Sequence, residues 1–168
     1  MWASVSGHTD IMKILVENGA DVNAGDEDGV TALIRVSWDG YPWIVSLLVE
    51  MGADVNAKTK RGTIPLNHAV ETGKLNVVKW LVKNGAKINS RDSDRSTPLH
   101  FCAWEGHHAI AKVLIDNGAD VNAVNRGGHS PLSFANRQGN ARVASLLRKH
   151  GATQEHGSGG GGPECSQQ

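Results

Sequence analysis

His100, Cys102, His107 and His108 are the residues of this sequence best suited to holding a metal ion. Zinc, which such side chains favour, is held by ligands paired at short regular intervals, as in Cys-x2-Cys or His-x3-His. No such pairing occurs around them, so they are read as serving the fold. Asp26 and Asp28 open like a calcium-binding loop, but Ser37 stands where the closing glutamate belongs. The run Gly159–Gly162 is followed by neither Lys-Ser nor Lys-Thr, nor by a helix that could receive a phosphate. No serine, histidine and aspartate fall into a pattern that assigns them catalytic roles. The chain is read as non-catalytic, with no cofactor and no metal, and its chemistry is that of recognition.

The elements that would position a recognition surface are legible in a repeat. Gly-Ala recurs at 19–20, 52–53, 85–86, 118–119 and 151–152, a constant spacing of 33 residues. In the second copy Thr31 can cap a helix that runs to Asp39 and stops at Gly40, where a left-handed residue is wanted. Pro42 opens a second helix, a position that tolerates its missing N–H. Ile44, Leu47, Leu48 and Met51 then form one apolar stripe, and Gly52 ends the helix. The stripe recurs as Val77, Trp80 and Leu81, as Ile110, Val113 and Leu114, and as Val143, Leu146 and Leu147. A second apolar row pairs Val45 with Val49, Val78 with Val82, and Ala111 with Ile115. Helices apolar on more than one side must be covered by partner helices and by neighbouring copies, so the chain is an all-α solenoid.

Bulk composition narrows the partners. Seventeen basic and 17 acidic side chains give no net charge over 168 residues, against the basic excess of a nucleic-acid binder. No apolar run has the roughly 18 residues of a spanning helix, and the N-terminus lacks the regions of a signal peptide. Two cysteines cannot frame a disulfide scaffold, which fits a reducing compartment. The expectation is a cytoplasmic or nuclear monomer that binds another protein, with no nucleic acid and no membrane.

Thr97-Pro98-Leu99-His100, with Pro65-Leu66 and Ser130-Pro131-Leu132 in register, resembles the helix-opening signature of the ankyrin repeat. Gly7, Gly40, Gly73, Gly106 and Gly139 and the Gly-Ala-Asp-Val-Asn-Ala endings are also similar to that family. The resemblance covers 1–153 and implies antiparallel helix pairs, β-hairpin fingers and a concave face that binds a partner protein. It divides the chain into a truncated first repeat (1–28), repeats at 29–61, 62–94 and 95–127, a C-terminal capping repeat (128–153) and a flexible Gly-rich tail (154–168). Arg95 stands where Gly29, Gly62 and Gly128 stand, so a differently shaped or weaker fingertip is expected there. Ile64 replaces the capping hydroxyl of Thr31 and Thr97, and Val36 and Cys102 take the small-residue slot of Ala69 and Ala135. Met1 aligns with Ile34, so Ile11, Met12 and Val16 are expected to be partly uncovered, as in a fragment of a longer array. Arg148 breaks the apolar row at the other end, like a terminal cap.

The register also sorts candidate contacts. The position before each inter-helix loop reads Val5, Trp38, Glu71, Trp104 and Arg137, and the resemblance places it on the concave face. Trp38 and Trp104, with Asp39 and Glu105 beside them, either anchor a partner or fold onto neighbouring copies; Trp104 could also stack on Arg137. Trp80 is read as core, and Trp43 beside Tyr41 as a further outer patch. Fingertip charges, Glu27 and Asp28, then Lys60 and Arg61, then Asp94 and Arg126, either pair between adjacent fingers or steer a partner. The resemblance makes Asn23, Asn56, Asn89 and Asn122 candidates for hydroxylation; the plainer reading is hydrogen bonding across the hairpin turn. Two alternatives to a free-standing scaffold remain: a regulatory or targeting fragment of a larger enzyme, channel or ubiquitin-ligase adaptor, and a structural spacer.

Overall fold

The computed structural model describes residues 8–153, and expectations falling on 1–7 (Val5 among them) and on 154–168 lie outside it. Within those residues the helices are α1 (Thr9–Glu17), α2 (Ala32–Asp39), α3 (Pro42–Glu50), α4 (Pro65–Glu71), α5 (Leu75–Lys83), α6 (Pro98–Glu105), α7 (His108–Asp116), α8 (Pro131–Arg137) and α9 (Ala141–Lys149). Local chemistry is plainest at the starts of the first helices and at the glycine stops. Thr31 Oγ1 accepts the Ile34 amide at 3.3 Å, and Gly40 closes α2 at φ 90°, a left-handed stop that any Cβ would strain. Prolines open α3, α4, α6 and α8, where the first-turn amide has no helical partner to lose.

First helices α2, α4, α6 and α8 pack side by side in one row, and second helices α3, α5, α7 and α9 in another. One apolar cluster runs unbroken from Met12 to Leu147. Val45, Val78 and Ala111, on the second apolar row, are wholly buried, whereas Leu47, Val113 and Leu146 of the main stripe are only partly covered. Trp80 is likewise half-buried, packed against the core rather than within it. In α1, Met12 is buried and Val16 half-buried, while Ile11, Ile14 and Leu15 are exposed. The expected uncovering is thus seen at Ile11 and, in part, at Val16, but not at Met12. Arg148 points into solvent and donates to Asn136 Oδ1 at 2.8 Å. No helix among the described residues is long and apolar enough to cross a membrane.

The fingers are tight turns more than strands. Each is closed by two main-chain bonds. The outer ones are Asp26 N to Val30 O (3.1 Å), Thr59 N to Thr63 O (3.0 Å), Asp92 N to Ser96 O (3.1 Å) and Asn125 N to His129 O (3.1 Å). Within them the amides of Gly29, Gly62, Arg95 and Gly128 donate back to the carbonyls of Asp26, Thr59, Asp92 and Asn125. A single antiparallel bridge, Gly25 with Thr31, is formed among the described residues. Neighbouring fingers are stitched by the backbone: the amides of Lys60, Ser93 and Arg126 donate to the carbonyls of Asp28, Arg61 and Asp94, all at 2.8 Å. The ion pairs expected between fingertips are not formed; among the described residues the ion pairs are Arg35–Asp39 and Lys112–Asp116, each one helical turn apart. Long charged side chains gain little from pairing in water, whereas main-chain groups in register lose little freedom on bonding.

The asparagines also differ from their expected role, because they bond across copies rather than across their own turn. Asn23 Nδ2 donates to Gly52 O (3.0 Å) while its Oδ1 accepts the Asp54 amide (2.7 Å). Asn56 does the same to Gly85 and Lys87, Asn89 to Gly118 and Asp120, and Asn122 to Gly151 and Thr153. A primary amide is both donor and acceptor, and here each half holds one main-chain group of the next copy.

Arg95 corrects another expectation. It adopts φ 61°, close to the 76° of Gly29 and Gly62 and the 74° of Gly128, so its fingertip keeps the common shape at the cost of left-handed strain. Ile64 offers no side-chain acceptor, but Asn67 Oδ1 still takes its amide at 3.1 Å, so half of the reciprocal cap survives.

Candidate functional site

Trp38, Glu71 and Trp104 stand in the last turns of α2, α4 and α6, and the next copy holds each in place by its carbonyl. Thr72 Oγ1 donates to Trp38 O at 3.0 Å, and Asn140 Nδ2 to Trp104 O at 2.8 Å. His107 Nε2 lies 3.3 Å from Glu71 O, and because a carbonyl only accepts, that nitrogen carries the proton. These bonds satisfy carbonyls that a helix end leaves without intrahelical partners. They also set the angle at which the three side chains leave the array.

Between the fingers and the first helices lies a groove of about 570 Å³. Its floor carries Trp38, His68, Glu71, Phe101, Trp104, Glu105 and Phe134, and its finger side carries Arg61, Asp92, Asp94, Asn125 and Arg126. The tryptophans are 43% and 41% exposed, so each keeps one face on the protein and one in water. The Trp38 ring meets His68 at 5.6 Å, and the Trp104 ring meets Phe134 edge-on at 5.3 Å. That second contact takes the place expected for Arg137, whose side chain is exposed on α8. Phe134 also meets His100 at 5.7 Å and His129 at 5.6 Å, so an aromatic cluster underlies one end of the groove.

The electrostatics of the floor are uneven. Burial pushes the Glu71 carboxyl above its ordinary range, Glu105 pushes it further, and Arg61 opposes both. Burial holds the His68 ring below the usual histidine value, with the Arg61 charge acting in the same sense. His68 is therefore neutral near pH 7, and the groove presents Glu71, Glu105, Asp92 and Asp94 against Arg61 and Arg126.

His100, Cys102 and His107, which the metal reading would need, have other partners. His100 Nδ1 accepts the Thr97 amide at 3.0 Å, and its Nε2 reaches His129 O in the next copy at 3.0 Å. Cys102 Sγ donates to His107 O at 3.1 Å, and burial drives its thiol far above the ordinary range. His107 is the tie to Glu71 already described, while His108 is exposed at the start of α7.

Of the residues singled out from sequence, the groove gathers Trp38, Arg61, Glu71, Asp94, Trp104, Glu105 and Arg126. Glu27, Asp28 and Lys60 are exposed on the fingers, Asp39 lies beside Arg35 at 3.9 Å, and none of the four lines it. Tyr41 and Trp43 are exposed elsewhere. Sequence reasoning missed His68, Phe101 and Phe134. The signal was available: they recur every 33 residues, three positions before Glu71, Trp104 and Arg137, and so share a helix face with them.

Comparison with protein families matches ankyrin repeats in three copies over residues 1–59 and 66–158. Ankyrin repeats in many copies match residues 39–82. No curated protein matches the chain.

Proposed function

Because the chain belongs to the ankyrin repeat family, whose members are generally protein–protein interaction modules, we propose that it is a non-catalytic scaffold that binds a partner protein in this groove. One observation carries the reading: two tryptophans, each nearly half exposed, sit in one groove on rigid aromatic backing. Indole faces left in water at fixed positions are the usual anchors of interface energy. Their backing and their carbonyl ties mean that little side-chain freedom remains to be lost on binding. The fingertip charges of Arg61, Asp94 and Arg126 would add electrostatic register at the groove's edge.

The test is affinity capture with mass spectrometry, wild type against a Trp38→Ala/Trp104→Ala double variant, followed by affinity measurement on the purified partner. Binding should collapse while the melting temperature falls by only a few degrees. Undiminished binding would remove the groove from the interface, and global unfolding would make the tryptophans structural. Leu81→Ala, in a wholly buried position, serves as the calibration and should cost about 2–5 kcal/mol.

A further inference from the structure

The chemistry of the groove also specifies what it accepts, given that it is the binding surface. Trp38 and Trp104 are two copies apart, roughly 20 Å at 8–10 Å per packed helix. About six residues of extended chain bridge that span. A segment of that length can lie along the groove within reach of both indoles. Midway between the indoles stands Glu71, with Glu105 close enough to disfavour its charge. The chain as a whole is neutral, yet this surface sets four carboxylates against two guanidinium groups. Of the four, Asp92 is engaged, its Oδ1 accepting the amides of Asp94 and Ser96. Glu71 and Glu105 make no ion pair among the described residues, whose pairs lie on α2 and α7.

We propose that the segment seated in this groove is cationic, with a lysine or arginine side chain of the partner lying midway between Trp38 and Trp104 and pairing with the Glu71 and Glu105 carboxylates. A cation there relieves the repulsion between two acids, while the flanking indoles, about 10 Å away on either side, are left to the partner's neighbouring apolar side chains. Arg61 opposes it from the finger side, which disfavours a second positive charge at that edge and favours an acidic or polar neighbour.

Selection from a random-peptide display library on the wild-type protein tests this, with the best peptide measured by fluorescence anisotropy. The expected peptides carry lysine or arginine between apolar or aromatic residues, and their affinity falls as salt rises. Glu71→Gln/Glu105→Gln, nearly isosteric, should weaken them about tenfold or more, and Glu71→Lys/Glu105→Lys should select acidic peptides instead. Circular dichroism melts show whether each variant is folded, and the salt dependence of the wild type stands independently of any variant. Peptides lost in Trp38→Ala/Trp104→Ala but lacking basic residues, and indifferent to salt and to the Gln variants, would overturn the cationic occupant while leaving the groove. Peptides indifferent to the tryptophans, or none recovered at all, would overturn both.

Discussion

Asn140 donates its side-chain amide to the carbonyl of Trp104 at 2.8 Å, and to that of Ala103 at 2.9 Å. The donor belongs to the loop of one copy and the acceptors to the helix end of the copy before it. Thr72 to Trp38 and His107 to Glu71 repeat the relationship with different side chains. What recurs is the bond, so each of these three groove residues is held by the copy that follows it. Gly106 leaves the room: a Cβ there would lie 2.6 Å from Asn140 Oδ1, and its φ of 80° would strain any side chain.

Asn140→Ala should therefore destabilise the array by about 1–3 kcal/mol, from two lost bonds and their stranded acceptors. Chemical denaturation measures that change. Binding of groove ligands should weaken as well, because the Trp104 helix end is loosened.

The asparagine ladder should be the more general source of stability. Asn56→Ala removes two bonds to the next copy and should cost roughly 1–3 kcal/mol, although Asn56 lies near the surface. Asn76→Ala, at an exposed position of α5, is the control and should lie within about 0.5 kcal/mol of wild type.

Arg95→Gly should stabilise. Glycine enters the left-handed region without the penalty that a Cβ incurs, and its greater freedom in the unfolded chain offsets only part of the gain. An increase of about 0.5–1 kcal/mol, seen as a higher denaturation midpoint at unchanged slope, is expected.

Asn67→His should also stabilise. In the fourth copy His100 accepts the Thr97 amide and reaches the next finger at His129 O, whereas Asn67 is shorter and its buried Nδ2 has no partner among the described residues. Histidine at 67 would reach the equivalent carbonyl, Ser96 O. A gain of about 1 kcal/mol in chemical denaturation is the expected outcome.

Acid should unfold the array partly through its histidines. Burial lowers the folded-state values of His68 and His100 below the ordinary 6.5, so the unfolded chain binds protons first. Stability is then fully present above pH 6.5 and declines as pH falls from there through the folded-state values. His100→Asn should flatten the fall of melting temperature below pH 6.5, even while lowering the plateau.

How far the site could be read in advance follows from particular residues. Trp38, Glu71 and Trp104 were found because the 33-residue register isolates the positions that the repeat leaves free. Phe134 was not singled out, although it shares the 33-residue register of His68 and Phe101. Asp39 and Arg137 were grouped with the tryptophans by register, and Glu27, Asp28 and Lys60 by their charge on the fingertips; neither says which way an exposed side chain turns.

The sequence by itself determined the period, the helix starts at Thr31 and Pro42, the stop at Gly40 and the all-α solenoid. Those follow from local sterics, capping and apolar spacing, which act within one copy. Tertiary structure alone decided that Asn23 and its equivalents bond forward, that Arg95 accepts the strain of a glycine position, and that Trp104 rests on Phe134 while Asn140 holds its carbonyl. The asparagine bonds, the Trp104–Phe134 contact and the Asn140 tie depend on distances between residues about 30 apart or more in the chain. Such distances exist only once one copy is laid against the next.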